Sequence, residues 1–435
     1  MSRTHDEKTN TAQRLLPTTR SQVSGHRFMR RRVEHGLIYG DIRMIHDPLA
    51  SRRRSAIFGL IAVVLIAGGC GLFAWLKPNP DPGAAAIMRA ADGSLYVRVG
   101  EVVHPVTNLT SARLIAGSPD EPQRVGDERL TDYPRGVPLG LTTAPAMFAP
   151  EGSNDIAWSA CSLIDASHTP TLTVHAGPAP ELLEPREAIL VAHDGDDWLV
   201  TQAGRAKLPP ATDPAGRLIR RELGIDAATP RREMHSGVLG ALRELPPIGL
   251  PHPLPRVLET GAEAWILTGH GGVQQITPLQ RDVLVAAGAH TERTDTAAIA
   301  AYPDADPPLT LSIPDEKPEW GDPAATSGAV ETAVCVAENG QAGRRPADAL
   351  TRGAVELSGA GPATHFIGLS DGAVGVDTGF GYHVVSGAGQ RHGVDQQAVL
   401  EMIGVAHMEK APWAIIGLLP AGPDLTREGA LTATY

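Results

Sequence analysis

The longest apolar run in the chain, residues 56–76 (AIFGLIAVVLIAGGCGLFAWL), holds 21 residues without a charge. As a helix rising about 1.5 Å per residue it covers roughly the 30 Å hydrocarbon layer of a bilayer, so the pattern predicts one membrane span. Just before it, residues 24–46 place Met29, Val33 and Leu37 four apart, with Met44 and Ile45 beyond and Pro48 as a stop. Four-residue spacing lines one face of a helix. Arg30, Arg31 and Arg32 cluster beside that face, which predicts docking on a cytosolic partner or the inner leaflet; the alternative is a solvated helix with no partner.

Past a Pro-rich linker at 77–83 the pattern changes to short apolar runs broken by Gly and Asp turns. One arrangement recurs four times: an apolar run, a turn, a second run, a Pro-containing corner and a helix-like stretch. The first uses Ile87-Met88, the Asp92-Gly93 turn, 95–97, 102–106 and 112–115. The second uses 189–191, Asp194-Gly195, 198–200 and 217–223. In the third, 265–267 precedes Gly271-Gly272, 273–276, Pro278 and 282–285; the fourth takes 366–369, Asp371-Gly372, 374–376, 382–385 and 396–403. Their uneven spacing excludes a contiguous solenoid, whose period would be fixed. Two further apolar segments, 154–164 and 329–337, read as strands of a shared central element.

The expected fold class is therefore α+β: an N-terminal amphipathic helix, one transmembrane helix, and an elongated ectodomain with a central sheet and four small hairpin/helix modules. The expected domains are a basic segment at 1–55, the span at 56–76, the linker at 77–83 and an extracytoplasmic part at 84–435, with modules near 86–117, 186–226, 262–291 and 363–405. Gly (47) and Pro (37) make up a fifth of the 435 residues, which supports many turns and short elements.

Charge then gives the span a direction. Residues 1–55 contain twelve Lys/Arg against five Asp/Glu, a net of +7; the whole chain sums to −11, so the remainder carries −18. Arg52, Arg53 and Arg54 precede the apolar run and only Lys77 follows it, which predicts a cytosolic N-terminus with Trp75 as an interfacial anchor. An acidic ectodomain argues against nucleic acid as its partner. A cleaved signal peptide is disfavoured, because 55 residues come before the run and no small-x-small site follows it. Cys70, after Ala67-Gly68-Gly69, lacks the bulky residue a lipoprotein site would have and reads as a small apolar residue.

Only Cys161 and Cys335 remain, both on the side where a disulfide persists, and they are expected to be bonded, clamping the central element. Closing so long a loop is worth on the order of 5 kcal/mol in the chain-entropy model. Two separate buried thiols is the alternative.

Motifs for catalysis or cofactors are not found. There is no GxxxxGK[ST], and none of the five lysines follows a glycine-rich loop. Gly368-Leu369-Ser370-Asp371-Gly372 fits GxSxG, but a β-like run follows where a nucleophile elbow needs a helix. The sixteen His show no HExxH and no zinc-type spacing with Cys. Asn108-Leu109-Thr110 fits a glycosylation sequon, a string common by chance. Trp158, Trp198, Trp265, Trp320 and Trp413 could be ligand platforms and are read mainly as core residues. No catalytic, cofactor or metal residue is expected.

The block GHRFMRRRVEHGL at 25–37, the following DIRMIHDPL at 41–49 and Arg52-Arg53-Arg54 resemble the approach to the membrane span of the EccB family of actinobacterial type VII (ESX) secretion. The four patterns, the two ectodomain cysteines and Leu418-Leu419-Pro420-Ala421-Gly422-Pro423-Asp424-Leu425 extend that resemblance over nearly the whole chain. It implies a non-catalytic scaffold of an inner-membrane complex, joining an EccC-type ATPase motor, EccD channel subunits and EccE, homo-oligomeric in the complex, with its C-terminal part in the periplasm. The family's central domain is closed by a disulfide, and its repeat domains resemble phage cell-wall-binding modules, which adds peptidoglycan and a mycosin protease as contacts. Members are also labelled ATPases. Phe28, Met29, Arg31, Arg32, Val33, Leu37 and Arg43 are the expected cytosolic assembly contacts.

Overall fold

The computed structural model describes residues 19–40, 42–43, 48–76, 80–150, 156–164, 169–261, 263–321 and 332–434. Met44, Ile45, residues 77–79 of the linker, Ala262 and the leading ends of both cysteine-bearing segments (154–155 and 329–331) lie outside them, as do residues 1–18 of the basic segment. The chain divides into two compact units, Met1–Asn79 and Pro80–Tyr435.

The first unit contains α1 (Arg20–Tyr39) and α2 (Pro48–Leu76). Thr19 starts α1 with a capping box: its side chain accepts from the Gln22 N–H while the Gln22 side chain accepts from the Thr19 N–H. Gly40, at φ 70°, ends it and returns its N–H to the Gly36 carbonyl at 3.0 Å. Residues Arg52–Trp75 of α2 have a mean hydropathy of 2.5 and none of their surface is buried within the chain. By length and composition this helix can cross a membrane.

The second unit is a mixed α/β body built from one seven-stranded sheet and four small sheets among the described residues. In the central sheet the order is Val355–Glu356, His365–Gly368, Pro170–Gly177, Ala157–Ile164, Thr332–Val336, Ala342–Pro346, Glu181–Leu182. Each small sheet has three antiparallel strands, then a helix, then a fourth strand parallel to the first. Sheet I comprises Ile87–Arg89, Leu95–Val99, Val102–Val106 and Gln123–Arg124, with helix Leu109–Ala116. Sheet II comprises Glu187–His193, Asp196–Thr201, Gly204–Lys207 and Arg231–Glu233, with helix Pro214–Glu222; Glu319–Trp320 adds to its first strand. Sheet III has Arg256–Glu259, Ala264–Leu267, Val273–Ile276 and Thr291–Arg293, with helix Pro278–Ala286. Sheet IV has Val374–Asp377, Tyr382–Val385, Arg391–Val394 and Met408–Lys410, with helix Gln397–Ile403.

Local chemistry explains these elements. The first two strands of sheet II are joined by Asp194-Gly195 alone, both at positive φ (50° and 82°), the two-residue turn whose twist matches a hairpin. Pro214 and Pro278 sit at the first helical position, where a missing N–H costs nothing.

The sequence pattern and the sheets differ in identifiable places. The apolar run at 366–369, expected to open the fourth module, belongs to the central sheet: His365–Gly368 runs parallel to Pro170–Gly177, and sheet IV opens only at Val374. Strands 204–207 (GRAK) and 256–259 (RVLE) escaped the pattern because half of their positions are charged. The closing parallel strands are two or three residues long, too short for alternation to register.

One face of the central sheet carries the main core: Trp158, Leu172, Val174, Val334 and Phe366 meet Ile189 and Val191 of sheet II, Val374 and Val385 of sheet IV, and Ile415, Ile416 and Leu419 near the C-terminus. The opposite face holds a smaller cluster around Cys161, Cys335, Ala333 and Leu350. Sheets II and III share a second apolar core, and sheets I and IV a third.

Candidate assembly surfaces and the family

On α1 the seven expected contact residues divide among three surfaces, because successive residues turn by about 100°. Met29, Val33 and Leu37 form a stripe that stays 58%, 62% and 82% exposed, with nothing in the described chain packed over it. Phe28 and Arg31 lie on another side, lining an open recess with Arg20, Val23, Ser24 and Arg27. Arg32 turns to the returning chain, where its Nε donates to the Ile42 carbonyl at 3.1 Å; Arg43 follows in that segment. Ile42 passes close to Gly36, where an added Cβ would lie 2.8 Å from its Cγ2. His35, buried, packs its ring 5.0 Å from that of Tyr39. Arg30 pairs with Glu34 at 3.0 Å, one turn on, and stiffens the helix slightly. α1 thus presents an exposed apolar stripe with arginines beside it.

Cys161 and Cys335 are joined in a disulfide between adjacent central strands that pair antiparallel, with the two residues directly opposite. Both are fully buried. On the same face lies His175, whose pKa burial and the nearby Arg345 guanidinium push down to about 4. Its Nδ1, the Ser159 hydroxyl and the Arg345 Nε are buried without a hydrogen-bond partner among the described residues.

Other singled-out motifs take structural roles. Asn108 is buried as the N-cap of its helix, accepting from the Ser111 N–H at 2.8 Å and donating to the Leu141 carbonyl at 2.7 Å, so it is not a free sequon. Ser370 sits in a turn after Leu369 (φ 56°) and before the strand Val374–Asp377, with Asp371 as its side-chain partner at 3.4 Å. Trp158 is core; Trp198 lies under the Arg205 guanidinium; the Trp320 Nε1 donates to the Leu223 carbonyl at 2.9 Å. Among the described residues, no three His, Cys, Asp or Glu converge as metal ligands would.

The model of the family described as type VII secretion system ESX-1, transport TM domain B, matches residues 15–434. The chain belongs to this EccB family. It is 30% identical to the ESX-3 secretion system ATPase EccB3 of Mycolicibacterium smegmatis, over 95% of this chain and 90% of that one. Its fold is similar to a chain of an intact ESX-5 inner membrane complex, with a TM-score of 0.66, 26% identity, and coverage of 98% here and 97% there. A chain from the periplasmic assembly of the ESX-5 inner membrane complex gives 0.64 at 26% identity, covering 83% and 96%.

One exposed aromatic ring, in sheet IV, has no counterpart in the sequence pattern. Phe380 stands 88% exposed at the tip of a hairpin, and a single Phe between two glycines gives no periodic signal.

Proposed function

We propose that this EccB chain is a structural component of a type VII secretion membrane complex, holding motor and channel subunits through α1 and projecting its α/β body into the periplasm. The observation that carries the reading is α1: a capped helix with a bare apolar stripe and flanking arginines, close in sequence to an apolar helix long enough to cross a bilayer. Such a stripe costs solubility unless a partner covers it. The arginine-rich side of α2 is the cytosolic side in this reading, and the disulfide-bearing body is the periplasmic side. The similar chains come from an inner membrane complex, one of them in a C3 composite, which supports several copies per complex. The four small sheets, alike in strand order, are the repeat modules of this reading, and the disulfide-bearing sheet is its central domain. The EccB3 relative is named an ATPase; this sequence has no glycine-rich phosphate loop, and a scaffold needs none.

Deleting residues 25–47 from the full chain tests the reading. The truncated protein is expected to reach the membrane and to be absent from the high-mass complex on native gels. A complex of unchanged composition would overturn it. Labelling Leu37→Cys in intact cells with a membrane-impermeant maleimide tests the orientation, and modification of that cysteine would reverse it.

A further inference from the structure

Helix Ser236–Ala241 begins on a ring nitrogen. His235 is its N-cap, and Nδ1 of the imidazole accepts from the Gly237 N–H at 3.1 Å. Nδ1 can accept only while it keeps its lone pair, so the folded joint selects neutral His235 with its proton on Nε2. Asn, Ser and Thr cap a helix at any pH near neutral; a histidine cap exists on one side of its own titration only.

The capped turn sits where three elements meet. Before it, Arg231–Glu233 closes sheet II, parallel to Glu187–His193. The His235 N–H donates to the hydroxyl of Ser162, a buried residue of the central sheet, at 3.0 Å. After it, Val238, Leu239 and Leu242 enter the main core. The turn is tightly packed, since a Cβ on Gly237 would lie 2.7 Å from Leu172 Cδ1 and 3.0 Å from Leu418 Cδ2. One residue therefore ties sheet II, the helix and the central sheet together.

On its open side His235 borders a recess of about 400 Å³ that it shares with His193, Asp194, Glu233 and Ser236. His193 Nε2 lies 3.3 Å from Asp194 Oδ2, so a protonated His193 keeps a counterion there. Among the described residues, His193, Asp194 and Glu233 are the charged groups that sheet II brings to this recess. The central strands Ala157–Ile164 and Thr332–Val336 and the helix Trp413–Ile416, all packed on Ser236–Ala241, contain none. Burial, and then the His193 charge, hold the His235 pKa below its ordinary 6.5. A proton on His235 removes the cap bond and sets a positive charge on the positive end of the helix dipole, beside a second imidazole.

We propose that His235 is a pH-sensitive latch between sheet II and the central sheet: neutral, it caps helix Ser236–Ala241; protonated, it turns into the recess toward Asp194 and Glu233, and the first turn of the helix opens. The latch is closed above pH 6.5 and is released as pH falls below that value through the titration of the folded chain. It works within one copy of the chain, whether or not that copy enters a complex.

Hydrogen exchange of the full-length protein in detergent, read by mass spectrometry from pH 7.5 to 5.0 and corrected for the intrinsic rate at each pH, tests the latch. Protection over residues 237–239 is expected to fall about fivefold on acidification, the size of a lost cap, while helix Pro278–Ala286 keeps its protection. His235→Asn retains a side-chain acceptor and does not titrate, so its protection should stay level over the range. His193→Gln removes the neighbouring positive charge and should move the midpoint of the fall to higher pH. No fall in the unaltered chain, an equal fall in His235→Asn or in helix Pro278–Ala286, or an unmoved midpoint in His193→Gln would overturn the proposal.

Discussion

Sheets II and III and sheets I and IV are each joined helix to helix, but by different means. Between II and III the seam is apolar: Ile219 and Leu223 meet Leu279, Val283 and Leu284, all buried. The two sheets follow each other directly in the chain. Between I and IV the seam adds polar latches. Arg113, with only 10% of its side chain exposed, donates from Nη1 to the Ile403 carbonyl at 2.8 Å and from Nη2 to Glu121 at 2.7 Å. Arg427 donates to the Ile115 carbonyl at 3.2 Å, placing the C-terminal helix Arg427–Ala430 against helix Leu109–Ala116. Arg113 and Ile403 are 290 residues apart. Each doubling of a closed loop costs about 0.6 kcal/mol, so the longer closure adds on the order of 1 kcal/mol to what the I–IV seam must overcome. Apolar packing serves both seams; the distant one also gains direction-dependent bonds that fix which surfaces meet.

The contrast can be broken at several points. The largest effect should come from the frame both pairs share: Cys161→Ser with Cys335→Ser removes the cross-strand bond that closes a 174-residue separation, and should lower stability by about 3–5 kcal/mol, read as a fall in melting temperature under non-reducing conditions. Next, Leu223→Ala in the apolar seam leaves a cavity and should cost about 2–5 kcal/mol in a denaturant titration. If the I–IV seam depends on its latch as argued, Arg113→Ala should cost about 1–3 kcal/mol by stranding the Ile403 carbonyl and Glu121. Gly404→Ala should follow the same direction, since a Cβ there would lie 2.0 Å from Arg113 Nη1 and φ is 95°. Hydrogen exchange should then rise in helix Gln397–Ile403 and not in helix Pro278–Ala286; equal rises in both would dissolve the comparison.

The smallest effect at neutral pH belongs to His175. Its pKa in the folded chain is about 4 against an ordinary 6.5, because burial and Arg345 disfavour the imidazolium. The unfolded chain takes up that proton first as pH falls, so the stability held above pH 6.5 is lost progressively down to about pH 4. His175→Gln should flatten this part of the stability profile while leaving pH 7.5 nearly unchanged; an unaltered slope would remove His175 as its source.

Much of this was legible in the residue order. The 21-residue apolar run and the Met29–Val33–Leu37 spacing are local signals, and helices formed over both, although Gly40 rather than Pro48 ends the first and Pro48 opens the second. Turn dipeptides such as Asp194-Gly195 located hairpins for the same reason. Pairing was not legible: the run containing Phe366 has the same composition whether it opens a small sheet or extends the central one, and only its partners Thr173–Ala176 decide. Asn108 matched a sequon string of the kind that arises by chance, and its role as a buried cap was not legible, since burial depends on Leu141 and Ser111 folding around it. Phe380 gave no signal because one exposed ring has no periodicity.

The sequence by itself determined the apolar helix, its arginine flank, the α1 stripe and the availability of two cysteines for a bond, because each is a property of neighbours along the chain or of composition. Tertiary structure decided that Cys161 and Cys335 stand directly opposite, that sheets I and IV close across 290 residues, and that Phe380 is left exposed at a hairpin tip. Those outcomes depend on contacts between distant segments, which packing selects and spacing along the chain does not encode.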